Sequence, residues 1–261
     1  MRLGRPRSGR GVTPVLRVGH LRKSYRGVDA VRDISFEVRD GEIYGLIGPN
    51  GSGKSTTLHA LVDIIQPTSG CLEVCGHRAS TIRAKQLFGF VPDDLDMPET
   101  LSGGEFLAFI RRLYGVTDTG RMDALIEIFG LREALHRLIE EYSHGMKKKL
   151  QITASLLHYP RALILDEPFR GLDPEAAISL KRLLSIERAR GTGLLAATHD
   201  LSMAQRYCDR IGIISGGDLV AEGAVPELLG RFDTDSLEEV FLRASGLLDK
   251  RSGLEEHFGH L

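Results

Sequence analysis

Eight consecutive residues, Gly48-Pro49-Asn50-Gly51-Ser52-Gly53-Lys54-Ser55, constrain this chain more than any other feature. They fit the pattern G-x-x-x-x-G-K-[ST] in full. A short apolar run at 42–47 reads as a buried strand before them. Helical spacing at 54–64, with Leu58, Leu61, Val62 and Ile65 as its apolar stripe, follows. Glycines at these positions let backbone N–H groups converge on phosphate oxygens, and a helix N-terminus adds a favourable dipole. Lys54 is placed to reach the β- and γ-phosphates and Ser55 to ligate Mg²⁺. The triplet Asn50-Gly51-Ser52 also matches a glycosylation sequon, an accidental match inside a phosphate loop. Asn50 is the only asparagine in the sequence. A guanine-reading N-K-x-D motif is therefore excluded, and ATP is the expected nucleotide.

The rest of the chain alternates strand and helix patterns. Strands are predicted at 16–18, 34–38, 162–165, 193–198 and 211–215, and a long helix at 175–189. Between 93 and 159 the pattern turns helical, at 105–114, 121–129 and 145–157. This alternation predicts an α/β fold with a mostly parallel sheet interrupted by a helical insertion; with the phosphate loop, the expected architecture is a P-loop NTPase (RecA-like) core with an N-terminal antiparallel β subdomain and an inserted α-helical subdomain. Three segments are expected: a flexible basic tail at 1–14, a nucleotide-binding domain at 15–232 and a helical extension at 233–261.

Composition narrows the function. Lys and Arg number 34 against 35 Asp and Glu, a net charge of −1, which excludes a dominant basic face for nucleic acid. No apolar run approaches the roughly 18 residues of a membrane-spanning helix, so the chain is not expected to cross a membrane alone. Arg2, Arg5, Arg7 and Arg10 are followed by no apolar h-region, which argues against a secretory signal. They read as a solvated tail or as a contact for anionic lipid. Cys71, Cys75 and Cys208 form no disulfide framework. Cys71 and Cys75 with His77 would make a poor zinc site, since residues four apart on a strand are separated by about 13 Å. All three cysteines are expected to be packing residues.

Further motifs complete a constellation. Ala162-Leu163-Ile164-Leu165-Asp166-Glu167 is an apolar strand ending in two acids, followed by Gly171-Leu172-Asp173-Pro174 and later by Ala197-Thr198-His199-Asp200. In P-loop enzymes the first acid, Asp166, holds Mg²⁺ and the second, Glu167, polarises the attacking water. Taken in this order, the motifs over 15–246 resemble the nucleotide-binding subunit of ATP-binding-cassette (ABC) transporters. That resemblance implies His199 as the residue contacting the γ-phosphate and Asp173 as an acid signalling across a dimer interface. It also implies Tyr25 as an aromatic stacked on adenine, although a tyrosine there also suits strand packing. The implied phosphate-binding set is Gly48, Pro49, Asn50, Gly51, Ser52, Gly53, Lys54, Ser55 and Thr56.

The family signature has two candidates. Leu101-Ser102-Gly103-Gly104-Glu105 matches L-S-G-G-Q by letter, but the family places its signature at a helix start about two dozen residues before the acidic strand end. Ser143 precedes Asp166 by 23 residues and Ser102 by 64. The signature is therefore assigned to Tyr142-Ser143-His144-Gly145-Met146. In the family, Ser143 and Gly145 would hold the γ-phosphate bound by the other subunit. Ser102 and Glu105 are left as a capping box. Lys147, Lys148 and Lys149 read as a solvated helix face.

Two departures stand out. Asp93 takes the place of the family's Q-loop glutamine, bringing a charge toward the metal that it would still ligate through oxygen. His144 replaces the first signature glycine. The form S-x-G-M-K-x-K-L and the tail Ser236-Leu237-Glu238-Glu239-Val240-Phe241-Leu242 look like cassettes paired with ABC-2-type exporter permeases. The resemblance implies an ATPase with ATP and Mg²⁺ as cofactors: Glu167, His199 and Lys54 catalytic, and Ser55, Asp166 and Asp93 at the metal. It implies a separate integral membrane permease and a second ABC subunit as partners, no nucleic acid, and a peripheral position on the cytoplasmic face of the membrane. The alternatives are a poorly hydrolysing half of an asymmetric pair and a soluble ABC ATPase outside transport.

Overall fold

The computed structural model describes residues 14–94 and 97–247. A ribbon of β1 (Leu16–Tyr25) and β2 (Val28–Val38) leads into β3 (Ile43–Ile47), the glycine-rich turn and α1 (Lys54–Leu61). Then come β4 (Ser69–Val74), β5 (His77–Arg78), α2 (Ile82–Lys85) and β6 (Phe88–Val91). Three helices follow: α3 (Gly103–Leu113), α4 (Gly120–Ile128) and α5 (His144–Leu156). The chain continues through β7 (Ala162–Asp166), α6 (Pro174–Ala189), β8 (Gly193–Thr198), α7 (Leu201–Tyr207), β9 (Arg210–Ser215) and β10 (Asp218–Ala224), ending in α8 (Val225–Arg231) and α9 (Leu237–Ala244).

The strands form one sheet of order β5-β4-β1-β2-β10-β9-β3-β8-β7-β6. Its β9-β3-β8-β7-β6 half is parallel throughout, and the β5-β4-β1-β2 half is antiparallel. A single parallel bridge, Asp33 to Asp218, joins β2 to β10, helped by the Arg32–Asp218 ion pair at 3.0 Å. Parallel neighbours cannot be joined by a tight turn. The connection from β6 to β7 is therefore long, and it contains the whole helical insertion.

Side chains alternate across the parallel strands and divide the core in two. Ile43, Ile47, Leu163, Leu165, Leu194 and Ala196 face a cluster shared with α5, α6 and the insertion. Tyr44, Leu46, Ala162, Ile164, Leu195 and Ala197 face a second cluster, shared with Leu58 and Leu61 of α1 and with the antiparallel ribbon. Every residue of β3, β7 and β8 is buried. The apolar runs therefore form strands covered on both faces.

The insertion helices and the long α6 form where the sequence predicts them, each within two residues at its start. Side-chain caps explain the starts of α3, α5 and α6: Ser102 with Glu105 in a capping box, Ser143 on Met146 N–H, and Asp173 on Ala176 N–H ahead of Pro174. The helix expected over 54–64 stops at Leu61, because Asp63 takes a left-handed φ of 61°. The strands expected at 16–18 and 34–38 are the buried ends of ten- and eleven-residue strands whose bulges break the simple alternation. α9 lies in the expected 233–261 extension and buries Leu237 and Val240 in the first cluster. Residues 1–13 of the expected tail and 248–261 lie outside the described residues.

The cysteines need a correction. Cys208 is buried, its thiol pushed up to about 12 by desolvation, but Cys71 is exposed on β4 and is not a packing residue.

One core contact gives the fold a pH dependence. His158, after α5, stacks on Tyr114 with ring centroids 3.8 Å apart, and its Nε2 lies 3.0 Å from the Phe88 carbonyl oxygen. Burial lowers its pKa to about 4. The unfolded chain takes up this proton near pH 6.5 whereas the fold refuses it until about pH 4. Stability is therefore full above pH 6.5 and declines as the pH falls toward 4. The decline is worth on the order of 3 kcal/mol. Urea midpoints measured from pH 7 to pH 4 should fall more steeply for the wild type than for His158→Phe, which keeps the ring stack.

Candidate functional site

Parallel pairing points the C-terminal ends of β3, β6, β7 and β8 toward one edge, where ligands of open α/β sheets bind. The loops leaving these ends bound a cavity of about 530 Å³. Its walls bring together Asn50, Gly51, Gly53, Lys54, Ser55 and Thr56 after β3, Asp93 after β6, Asp166 and Glu167 at the end of β7, and His199 after β8. All were expected site residues. Ala30 and Arg170 also line the cavity and were not.

The glycine-rich turn is shaped by backbone contacts. Gly51 and Gly53 have φ of 78° and 110°, and a Cβ on Gly53 would lie 2.7 Å from the Ala30 carbonyl oxygen. A Cβ on Gly48 would lie 2.4 Å from the Ile214 carbonyl oxygen. These clashes explain why glycine stands at both positions. Gly53 offers α1 no side-chain cap, and the first turn contains no acid, so its N–H groups remain available to an anion. Lys54 is buried and donates to the carbonyls of Gly48 at 2.7 Å and Pro49 at 3.1 Å. Desolvation lowers its pKa, and Glu167 and Asp166 act against that shift. A buried ammonium inside a ring of N–H groups is an anion site in charge and shape.

The acids are held differently. Asp166 is buried and its pKa is raised, first by desolvation, while the Ser55 hydroxyl opposes the shift through a hydrogen bond. Glu167 has a φ of 44°, a left-handed value that costs energy for any residue with a Cβ and of the kind that clusters at functional sites. Its backbone N–H donates to the Ala197 carbonyl at 2.9 Å. Its carboxylate accepts from Thr198 Oγ1 at 3.0 Å and His199 N–H at 3.0 Å, and lies 2.6 Å from His199 Nδ1. This pairing aims an acid and an imidazole at the phosphate loop.

The donor set also fits a magnesium ion arriving with phosphate. Ser55, Asp166 and Asp93 line the same cavity and would offer hard oxygen donors, and Asp93 Oδ1 is buried with no hydrogen-bond partner among the described residues. Among these residues no three His, Cys, Asp or Glu side chains form a self-sufficient metal group. Phosphate oxygens would have to complete the shell, as is usual for Mg²⁺.

Residues 31–170 match the family model described as ABC transporter. The chain belongs to this family. It is 34% identical over 238 residues to the linearmycin resistance ATP-binding protein LnrL of Bacillus subtilis, covering 89% of this chain and 76% of that protein. It is 37% identical over 231 residues to the Nod factor export ATP-binding protein I of Ralstonia nicotianae, covering 86% and 71%. A solved structure described as the ATP-binding subunit of an ABC transporter superposes with a TM-score of 0.84 at 32% identity, covering 88% of this chain and 99% of that one. The chain is thus an ABC transporter ATP-binding subunit with a P-loop ATPase fold, and no helix among the described residues is long and apolar enough to cross a membrane.

The remaining expected ABC residues lie off the cavity wall. Ser143 caps α5, and a Cβ on Gly145 would meet the Gly171 carbonyl oxygen at 2.8 Å. The His144 ring packs on Gly171, where a Cβ would lie 2.5 Å from it. Asp173 caps α6 and pairs with Lys149 at 2.6 Å, which lowers its pKa. Tyr25 ends β1 with Lys23 over its ring and is 44% exposed. Gly48, Pro49 and Ser52 shape the loop from behind, with Ser52 Oγ buried and without a hydrogen-bond partner among the described residues.

The letters L-S-G-G-E have a packing origin. Gly103 leaves room for Tyr142, whose hydroxyl donates to the Ala134 carbonyl at 2.6 Å, and Gly104 admits the Leu135 carbonyl. The solvated lysine face expected at 147–149 is corrected. Lys147 pairs with Glu99 and Lys149 with Asp173, while Lys148 is fully buried. Its ammonium donates to the carbonyls of Pro92 at 2.7 Å and Asp166 at 3.2 Å, tying α5 to the loops behind the cavity. Three lysines in a row do not reveal which one points inward.

Gly53→Ala should weaken ATP binding at least tenfold while leaving the melting temperature within a few degrees, because the added methyl opens the loop rather than the core. Titration with a fluorescent ATP analogue, alongside thermal melting, checks this.

Proposed function

We propose that this subunit is the ATP-hydrolysing motor of an exporter, docked on a separate permease at the cytoplasmic face of the membrane and paired with a second cassette. The observation that supports hydrolysis best is the Glu167–His199 pair on the same cavity wall as Lys54. Export is supported by the printed name of the Nod factor export relative. An ABC-2-type permease is supported by the sequence form around Ser143 and in the tail.

The chemistry follows from residue positions. Lys54 exchanges the carbonyls of Gly48 and Pro49 for phosphate oxygens, and the N–H groups opening α1 bind the same anion. Glu167 accepts a proton from a water as that water's oxygen bonds to the γ-phosphorus and the bond to the ADP oxygen breaks. His199 orients the carboxylate through Nδ1, leaving Nε2 as the nitrogen that can meet a phosphate oxygen. Mg²⁺, held by Ser55, Asp166 and Asp93, would supply charge neutralisation to the phosphates. Tyr25 would stack on adenine. Ser143 and Gly145 would complete the partner cassette's site from the start of α5, with Asp173 at the shared interface.

Affinity purification of the tagged chain from detergent-solubilised native membranes, with mass spectrometry of what accompanies it, tests the transport reading. A multi-span integral membrane protein at one-to-one stoichiometry is expected. Recovery only with ribosomes or DNA would leave the ATPase standing and overturn the motor role.

A further inference from the structure

Asp93 stands where an uncharged amide is usual in this family, and the structure supplies cations around it. Arg170 Nη1 contacts Asp93 Oδ2, and both residues line the cavity. The two come from different loops, after β6 and after β7, 77 positions apart in sequence. Among the described residues Asp93 Oδ1 is buried without a hydrogen-bond partner, so Arg170 answers one oxygen of the carboxylate and leaves the other. Behind it, Lys148 grips the carbonyl of Pro92, the residue immediately before. The backbone at this point is pinned while the carboxylate is free to change partner by side-chain rotation. Arg170 is itself 63% exposed at the side chain and free to leave.

We propose that Arg170 is a built-in counter-cation that occupies Asp93 until Mg²⁺ arrives with ATP, so that metal loading exchanges one cation for another on the same carboxylate. This inference rests on the nucleotide-site reading above and assigns Arg170 as a positioning residue acting through Asp93. Without such a cation, Asp93, Asp166 and Glu167 would put three carboxylates against the incoming phosphates. With it, the cavity is closer to neutral before nucleotide binds, and Asp93 becomes available when the ion brings its own charge. Arg170 also immediately precedes Gly171, on which the His144 ring packs.

The test is the Mg²⁺ dependence of binding, read by fluorescence anisotropy of methylanthraniloyl-ATP with no turnover required. Removing a competitor held by a partly exposed ion pair should lower the half-saturating Mg²⁺ concentration of Arg170→Gln by about threefold to fivefold. Asp93→Asn should raise it, and Arg170→Gln added to Asp93→Asn should change nothing further. An unchanged Mg²⁺ dependence in Arg170→Gln, with ATP still bound, overturns the exchange alone. Equal weakening of binding with and without Mg²⁺, in both backgrounds, makes Arg170 a direct phosphate ligand and also overturns it. No ATP binding by the wild type at any Mg²⁺ concentration would remove the nucleotide site itself. Thermal melting of each variant separates these outcomes from loss of fold.

Discussion

Parallel pairing of β3, β6, β7 and β8 is the constraint on which the site depends. Only parallel strands deliver the phosphate loop, Asp93, Asp166–Glu167 and His199 to one edge from segments that stretch from Gly48 to His199 in sequence. A parallel sheet must be covered on both faces. The two hydrophobic clusters provide that cover, one through α1 and the ribbon, the other through α5, α6 and the insertion. The layer that stabilises the sheet therefore also holds α5 against the acidic strand end, with Lys148 as the polar pin between them.

Charge at this edge is balanced by geometry rather than by solvent. Lys54 is desolvated but faces Asp166 and Glu167. Lys148 is desolvated and satisfied by two carbonyls, with Asp93 first among the acids favouring its charge. Glu167 sits in a costly backbone conformation, held by its N–H bond to the Ala197 carbonyl and by three contacts of its carboxylate with Thr198 and His199. Such a site is prepared for a highly charged ligand, since Lys54 is already out of water while Ser55 and His199 stay open to what enters the cavity.

The site was legible in the sequence where its chemistry is contiguous. The phosphate loop, Asp166–Glu167 and His199 follow strand ends, so local pattern locates them. Spacing alone favoured Ser143 over Ser102 as the signature, and packing gives a physical reason for the glycines at 103, against Tyr142, and 104, against the Leu135 carbonyl. Ala30, Arg170 and Lys148 were not legible, because their places depend on which strands become neighbours. A lysine in a run of three looks solvated until α5 turns it inward. Likewise the lengths of β1 and β2 were hidden by bulges that shift the alternation. Exposure of Cys71 follows from the face of β4 it occupies, which no local feature fixes.

The central claim is that Glu167 is the residue through which this cavity breaks the β–γ bond of ATP. Glu167→Gln keeps the size and shape of the side chain and removes its ability to take the proton. Steady-state phosphate release from the purified chain with Mg²⁺ and ATP measures the consequence directly. A fall of at least a hundredfold, with ATP retained on a dimer seen by size exclusion, is the expected result. Phosphate release at the wild-type rate would contradict the account.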